Sequence, residues 1–151
     1  MLFLRTSFAA ARHAARPTNV FRVPIWQAQR FLSADSKAMI DSAVKAHPLV
    51  LFMKGDRKTP QCGFSRAVVQ ILDLHGVPPE KMKTYNILED AELRSGMKEY
   101  SDWPTFPQLY VDGEFVGGCD IVMSMHQEGE LETLLEQKKV IPPVSQGEKS
   151  S

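Results

Sequence analysis

Cys62 stands alone in the stretch KGDRKTPQCGFS, residues 54–65, between the apolar run LVLFM and a helical pattern opening at Gly63. A reactive cysteine at such a junction commonly has a second cysteine three residues on, the C-x-x-C redox pair. Here that position is Ser65. The unpaired N–H groups and the dipole of the following helix favour a thiolate at its first residue. Lys54, Arg57 and Lys58 add positive charge nearby, so the thiol is expected below the free-cysteine pKa of about 8.5. The plain alternative is a buried structural cysteine. Pro60, the polar loop and Gly63 argue for exposure instead.

Two further stretches carry ligand-binding signals. In Trp103-Pro-Thr-Phe-Pro107 the last proline stands at the head of a strand pattern. It is a candidate for the cis form, which would free the backbone of Phe106 to pair with an extended peptide ligand. A strand-leading proline also needs no function, because sterics alone permit it. Gly117-Gly118-Cys119-Asp120 then allows close approach of a ligand to the chain and opens a helix whose N–H groups can bind a carboxylate. Asp120 can hold an ammonium group or simply cap that helix. Taken together the three stretches describe one extended ligand with carboxylates at its ends, one ammonium and a thiol beside Cys62. Glutathione fits that description.

The elements that must position these residues are readable from period and punctuation. Helical spacing covers 35–46 and ends at His47-Pro48. The unbroken apolar run 49–53 reads as a strand buried on both faces. A helix over 63–75 carries the stripe Ala67, Val68, Ile71, Leu72 and stops at Gly76. A strand over 84–88, a helix over 90–100 with Asp90 as its cap, and a strand over 106–111 follow. Asp112-Gly113 turns the chain into a strand over 114–116. A helix runs from about 120 through 125, and a last one covers about 130–139. The expectation is an α/β chain with a small four-stranded mixed sheet flanked by helices. Its early strands are parallel and its late pair is a hairpin. The segment VPPEKMKTYN is long for its place and has no assigned role. The tail from residue 140 reads as disordered.

Charge divides the chain. Residues 1–34 hold five arginines, no lysine and no acid, whereas the rest holds 13 basic and 18 acidic residues, a net of −5. An acidic body disfavours nucleic acid as a partner. The arginine- and alanine-rich, acid-free N-terminus matches a mitochondrial transit peptide over residues 1–32 better than a plain basic tail, with cleavage after Leu32. No run reaches the ~20 apolar residues that a membrane span needs. Two cysteines are too few for a disulfide framework, and the four scattered histidines show no zinc spacing.

The motifs KG-(x)4-PQCGFS and WPTFPQLYVDGEFVGGCD closely resemble those of the monothiol glutaredoxins with a CGFS site, of the single-domain mitochondrial type. The resemblance covers about residues 36–139. It implies a thioredoxin-like fold over a domain placed at 33–139, with Cys62 as the reactive residue. It also implies glutathione contacts at Lys54, Arg94, Lys98, Phe106, Pro107, Cys119 and Asp120. Lys54, Arg94 and Lys98 would hold the glycine carboxylate, the Phe106 backbone the central residue, and the Cys119 backbone with Asp120 the γ-glutamyl end. Phe106 departs from the family's usual Ile or Val, which alters the pocket's shape while leaving a backbone contact available.

With Ser65 in place of a thiol, the intramolecular step that resolves a mixed disulfide is lost. A soft thiolate is also an iron–sulfur ligand. A [2Fe–2S] cluster needs four such ligands. Cys62 and one bound glutathione supply two, so two protomers complete the set. The expectation is a cluster-bridged homodimer of the mitochondrial matrix that receives a cluster from scaffold or chaperone donors and passes it to apo-proteins. The rival expectation is a glutathione-dependent oxidoreductase that frees glutathionylated thiols through the same Cys62. A Cys62–Cys119 disulfide is left open by the sequence.

Overall fold

The middle strand of the sheet is apolar at every position, and that property organises the rest. The computed structural model describes residues 32–143. Strand β1, Leu49–Met53, is buried throughout. Its alternate residues serve two cores. Leu49, Leu51 and Met53 face one helical layer, and Val50 and Phe52 face the other.

Helix α1, Ala34–Lys45, is capped by Ser33, whose hydroxyl accepts from the Ser36 N–H. After β1 comes α2, Gly63–Leu74. A single 3-10 turn at Pro79–Lys81 then leads into β2, Met82–Asn86. Helix α3, Ala91–Ser101, is capped by the Asp90 carboxylate. Strands β3, Gln108–Val111, and β4, Glu114–Gly117, form the hairpin. Helices α4, Cys119–Glu128, and α5, Glu130–Gln137, complete the chain.

The sheet order is β2-β1-β3-β4. β1 runs parallel to β2, with Leu49 opposite Met82, and antiparallel to β3, with Leu49 opposite Val111. The residues of α1 and α3 pack with Val50, Phe52 and Tyr110 on one face. Those of α2, α4 and α5 pack with Leu49, Leu51 and Leu109 on the other. This is the expected mixed sheet with two helical layers.

Several boundaries move, each for a physical reason. β2 spans 82–86 rather than 84–88. Parallel pairing with β1 ends at Asn86, whose side-chain carbonyl accepts from the Gly55 and Leu88 N–H groups and turns the chain away. The segment VPPEKMKTYN therefore has a place: its Val77 is buried against the core, Pro78 leads into the 3-10 turn Pro79–Lys81, and the rest is β2. β3 begins at Gln108 rather than Phe106, because Pro107 has no N–H to give a ladder. α4 opens at Cys119, not Asp120, and continues to Glu128, where Gly129 ends it.

The expected tail also yields two residues to the body. Val140 and Ile141 are buried against the α2–α4–α5 layer, and the Val140 N–H donates to the Leu135 carbonyl at 2.8 Å. Residues 144–151 and the expected transit peptide up to residue 31 lie outside the described residues. Leu32, at the expected cleavage junction, packs on the α1–α3 cluster and donates its N–H to Glu99 Oε1 at 2.7 Å.

Ending the chain after Lys139 removes two buried apolar side chains, each contributing roughly 1.5–3 kcal/mol. Thermal unfolding is expected to show a clearly lower midpoint for that truncation than for one ending after Pro143. Equal midpoints would mean that Val140 and Ile141 are not part of the core.

Candidate functional site

The loop after β1 is built to deliver Cys62 to the head of α2. Gly55 has φ +89, and a Cβ there would lie 2.4 Å from the Thr59 carbonyl oxygen, so only glycine fits. The Asp56 carboxylate accepts from the Lys58 and Thr59 N–H groups, both at 2.8 Å. The Gln61 N–H donates to the Lys54 carbonyl at 2.8 Å and closes the loop. Cys62 follows in extended conformation as the N-cap of α2.

Ser65 is where sequence reasoning saw only a missing thiol. It is fully buried. Its Oγ accepts from the Lys54 N–H at 3.1 Å and lies 3.2 Å from Cys62 Sγ. Its own N–H donates to that sulfur at 3.3 Å. When Cys62 is a thiolate, the hydroxyl proton turns to the sulfur while Oγ still accepts from Lys54. Burial alone would raise the Cys62 pKa. The Ser65 hydroxyl and N–H, the Phe64 N–H and the Lys54 charge outweigh it, so the thiol is held below its usual value.

Of the three cations expected to act here, Lys54 lowers the Cys62 pKa through its charge. Arg57 pairs with Asp73 near the far end of α2 and donates to the Val77 carbonyl at 3.2 Å. Its guanidinium ties the loop down instead of facing the sulfur. Lys58 contributes its backbone N–H to Asp56.

A cleft of about 320 Å³ brings together most of the expected ligand contacts. Lys54, Arg94, Lys98, Phe106, Cys119 and Asp120 all line it. Arg94 and Lys98 stand one turn apart on α3 and therefore share a face. Pro107 is not in the wall; it is buried, and the Phe106–Pro107 peptide is cis. Cys62 is at the rim: its neighbours Lys54 and Phe64 line the cleft, and its charge is felt at Cys119.

The far wall is the head of α4. Gly118 is the N-cap, and no side chain caps the helix. Asp120 sits in the first turn and is exposed, so the capping alternative for it does not apply. The N–H groups of such an uncapped first turn can receive an anion. The Cys119 thiol is buried and 3.7 Å from Met123 Sδ. Burial first, then the charges of Asp120 and Cys62, push its pKa up, so it stays protonated and offers its backbone only. Both cysteines are free thiols. Among the described residues no three His, Cys, Asp or Glu side chains group as a metal site.

Sequence reasoning missed two residues besides the role of Ser65. Gln108 is fully buried and its amide donates to the Trp103 and Thr105 carbonyls at 3.0 and 3.2 Å, fixing the loop that carries Phe106. A glutamine heading an otherwise apolar strand was the available signal. Trp103 lines the cleft under Gly118, where a Cβ would come within 3.0 Å of its Nε1. A side chain at Gly118 would have to push the indole aside by a few tenths of an ångström.

The rate of alkylation of Cys62 should rise through a pH below that of a free thiol, near 8.5. Ser65→Ala removes a hydroxyl donor to the sulfur and is expected to move the profile to higher pH. An unchanged profile in Ser65→Ala would show that the hydroxyl does not stabilise the thiolate.

The glutaredoxin family profile matches residues 49–116. The chain is 54% identical over 134 residues to the mitochondrial monothiol glutaredoxin-5 of Lachancea kluyveri, covering 89% of this chain and 94% of that protein. It is 49% identical to the mitochondrial monothiol glutaredoxin-5 of Saccharomyces cerevisiae, covering 82% of each. Among solved structures, reduced poplar apo GrxS14 superposes with a TM-score of 0.60 at 51% identity, covering 70% of this chain and 94% of that one. The two glutaredoxin-5 relatives place the chain in the mitochondrion, and with the lone Cys62 at the rim of a cationic cleft they fix its class: the chain belongs to the monothiol glutaredoxins, a glutathione-associated family with a thioredoxin-like fold.

Proposed function

We propose that this protein carries a [2Fe–2S] cluster, held by Cys62 together with glutathione, and delivers it to apo-proteins in the mitochondrial matrix. The observation that carries this reading is the pairing of a stabilised thiolate with a hydroxyl at position 65. The sulfur is a competent soft ligand, and no neighbouring thiol competes for it or resolves a mixed disulfide. Among the described residues, no group of side chains within one chain could hold a cluster by itself. Cys62 plus one glutathione thiolate gives two ligands, and a second copy of the chain gives the other two. The cluster is cargo, and half of its ligands are non-covalently bound, which suits release to a recipient. Residues 1–32 serve as the transit peptide in this reading.

The cleft supports the glutathione half of the site. Lys54, Arg94 and Lys98 give one carboxylate of the tripeptide its cations. The Phe106 backbone, freed by cis Pro107, pairs with the central cysteinyl residue. The open N–H groups at Cys119 receive the γ-glutamyl carboxylate, and Asp120 its ammonium. Bound this way, the glutathione thiol lies on the Cys62 side of the cleft.

The same thiolate and cleft also suit reduction of glutathionylated thiols, so the experiment must separate the two activities. Anaerobic reconstitution of residues 33–151 with iron, sulfide and glutathione is expected to give a coloured protein. Cys62→Ser should stay colourless, and turnover of a glutathionylated peptide should be slow. A colourless wild type with rapid turnover would overturn the carrier reading in favour of the reductase. Removing one charge-assisted bond costs roughly 1.5–3 kcal/mol. Lys54→Ala and Arg94→Ala should therefore each weaken glutathione binding by about tenfold or more, measured calorimetrically. Unchanged affinity in both would remove the carboxylate assignment.

A further inference from the structure

Helices α2 and α4 begin at the thiol site and meet again at their other ends. His75, the C-cap of α2, and His126, in the last turn of α4, face each other with Nε2 and Nδ1 2.9 Å apart. Their rings stand nearly perpendicular, at 88°. Both are half-exposed. The α2 helix places this pair about 20 Å from Cys62 along its axis, so it lies well away from the glutathione cleft and has no part in the function proposed above.

We infer that His75 and His126 form a two-imidazole site for a borderline divalent transition-metal ion such as Zn²⁺. Three observations carry it. First, two nitrogens at 2.9 Å need little movement. With Zn–N bonds of about 2.0–2.1 Å and tetrahedral angles, two ligand nitrogens lie about 3.3 Å apart. Opening the pair by about 0.4 Å and turning either ring about its terminal torsion directs both lone pairs to one point.

Second, the proton balance is simple. One neutral ring now donates its N–H to the other. On metal binding that ring shifts to the tautomer protonated at its far nitrogen, leaving both facing nitrogens as ligands with no net proton released.

Third, a carboxylate is near and both rings are open to water. Glu132 on α5 is close enough to favour positive charge at His75. No third side chain joins the pair among the described residues, so water completes the coordination and the site is exchangeable. Imidazole ligands select zinc, copper or nickel over magnesium or calcium. Loading would tie α2 to α4 at the ends remote from the thiol.

The test uses the chain carrying Cys62→Ser, which removes the thiolate as a competing ligand, with ¹⁵N-labelled histidine and Zn²⁺ alone as the probe. One equivalent of Zn²⁺ is expected to shift His75 Nε2 and His126 Nδ1 together, leaving His47 unmoved. His126→Gln and His75→Gln should each weaken Zn²⁺ binding by about tenfold or more, since even outer-shell losses cost metal sites 10–100-fold. Resonances of His75 and His126 that ignore Zn²⁺ would overturn the assignment without any variant. Binding that survives either substitution within twofold would overturn it too, reducing the pair to a hydrogen-bonded clasp.

Discussion

The buried hydroxyl of Ser65 is the point on which the site turns. It accepts the Lys54 N–H at the end of β1 and reaches the Cys62 sulfur at the start of α2. One small side chain thus fixes the strand, the loop and the helix relative to the thiol. A buried donor or acceptor without a partner costs about 1–3 kcal/mol, so the arrangement persists only while each member finds its bond. Cysteine in the same place would be a weak donor and acceptor. Serine makes the site monothiol and, by the same atoms, stabilises the one thiolate that remains.

The sheet supplies the rigidity behind this arrangement. β1 is buried on both faces and bonded on both edges, so its end at Met53 is held in place. The chain leaves that end for Cys62, the Gln108 amide fixes the Trp103–Thr105 loop beside it, and the α3 cations Arg94 and Lys98 close the same cleft. Two helix N-termini, those of α2 and α4, then meet one concave space from different sides. One is occupied by a protein sulfur, and the other has no side-chain cap. That asymmetry distinguishes Cys62, whose pKa is held down, from Cys119, which burial keeps protonated.

Most of this frame was legible in the sequence because local rules and global packing agree there. The five-residue apolar run of β1, the stripe of α2, the Asp90 cap and the Asp112-Gly113 turn each announce their element. The cleft residues Lys54, Arg94, Lys98, Phe106, Cys119 and Asp120 were named on motif resemblance, and the fold brings them together. What escaped was decided by long-range partners. Arg57 looked like a cation for the thiol but pairs with Asp73, 16 positions away. β2 ends where Asn86 finds the Gly55 N–H, 31 positions away. Val140 and Ile141 follow a helix and precede two prolines, a context that reads as tail until α5 folds them back on the core. No periodicity reports such contacts.

In the proposed assembly one cluster is shared between two chains and two glutathiones. Native mass spectrometry of the cluster-loaded protein, prepared without oxygen, weighs that assembly directly. The predicted species contains two polypeptides, one [2Fe–2S] unit and two glutathiones, and it falls to bare monomers when the cluster is lost. A loaded monomer, or a loaded dimer without glutathione, would contradict the shared-ligand site.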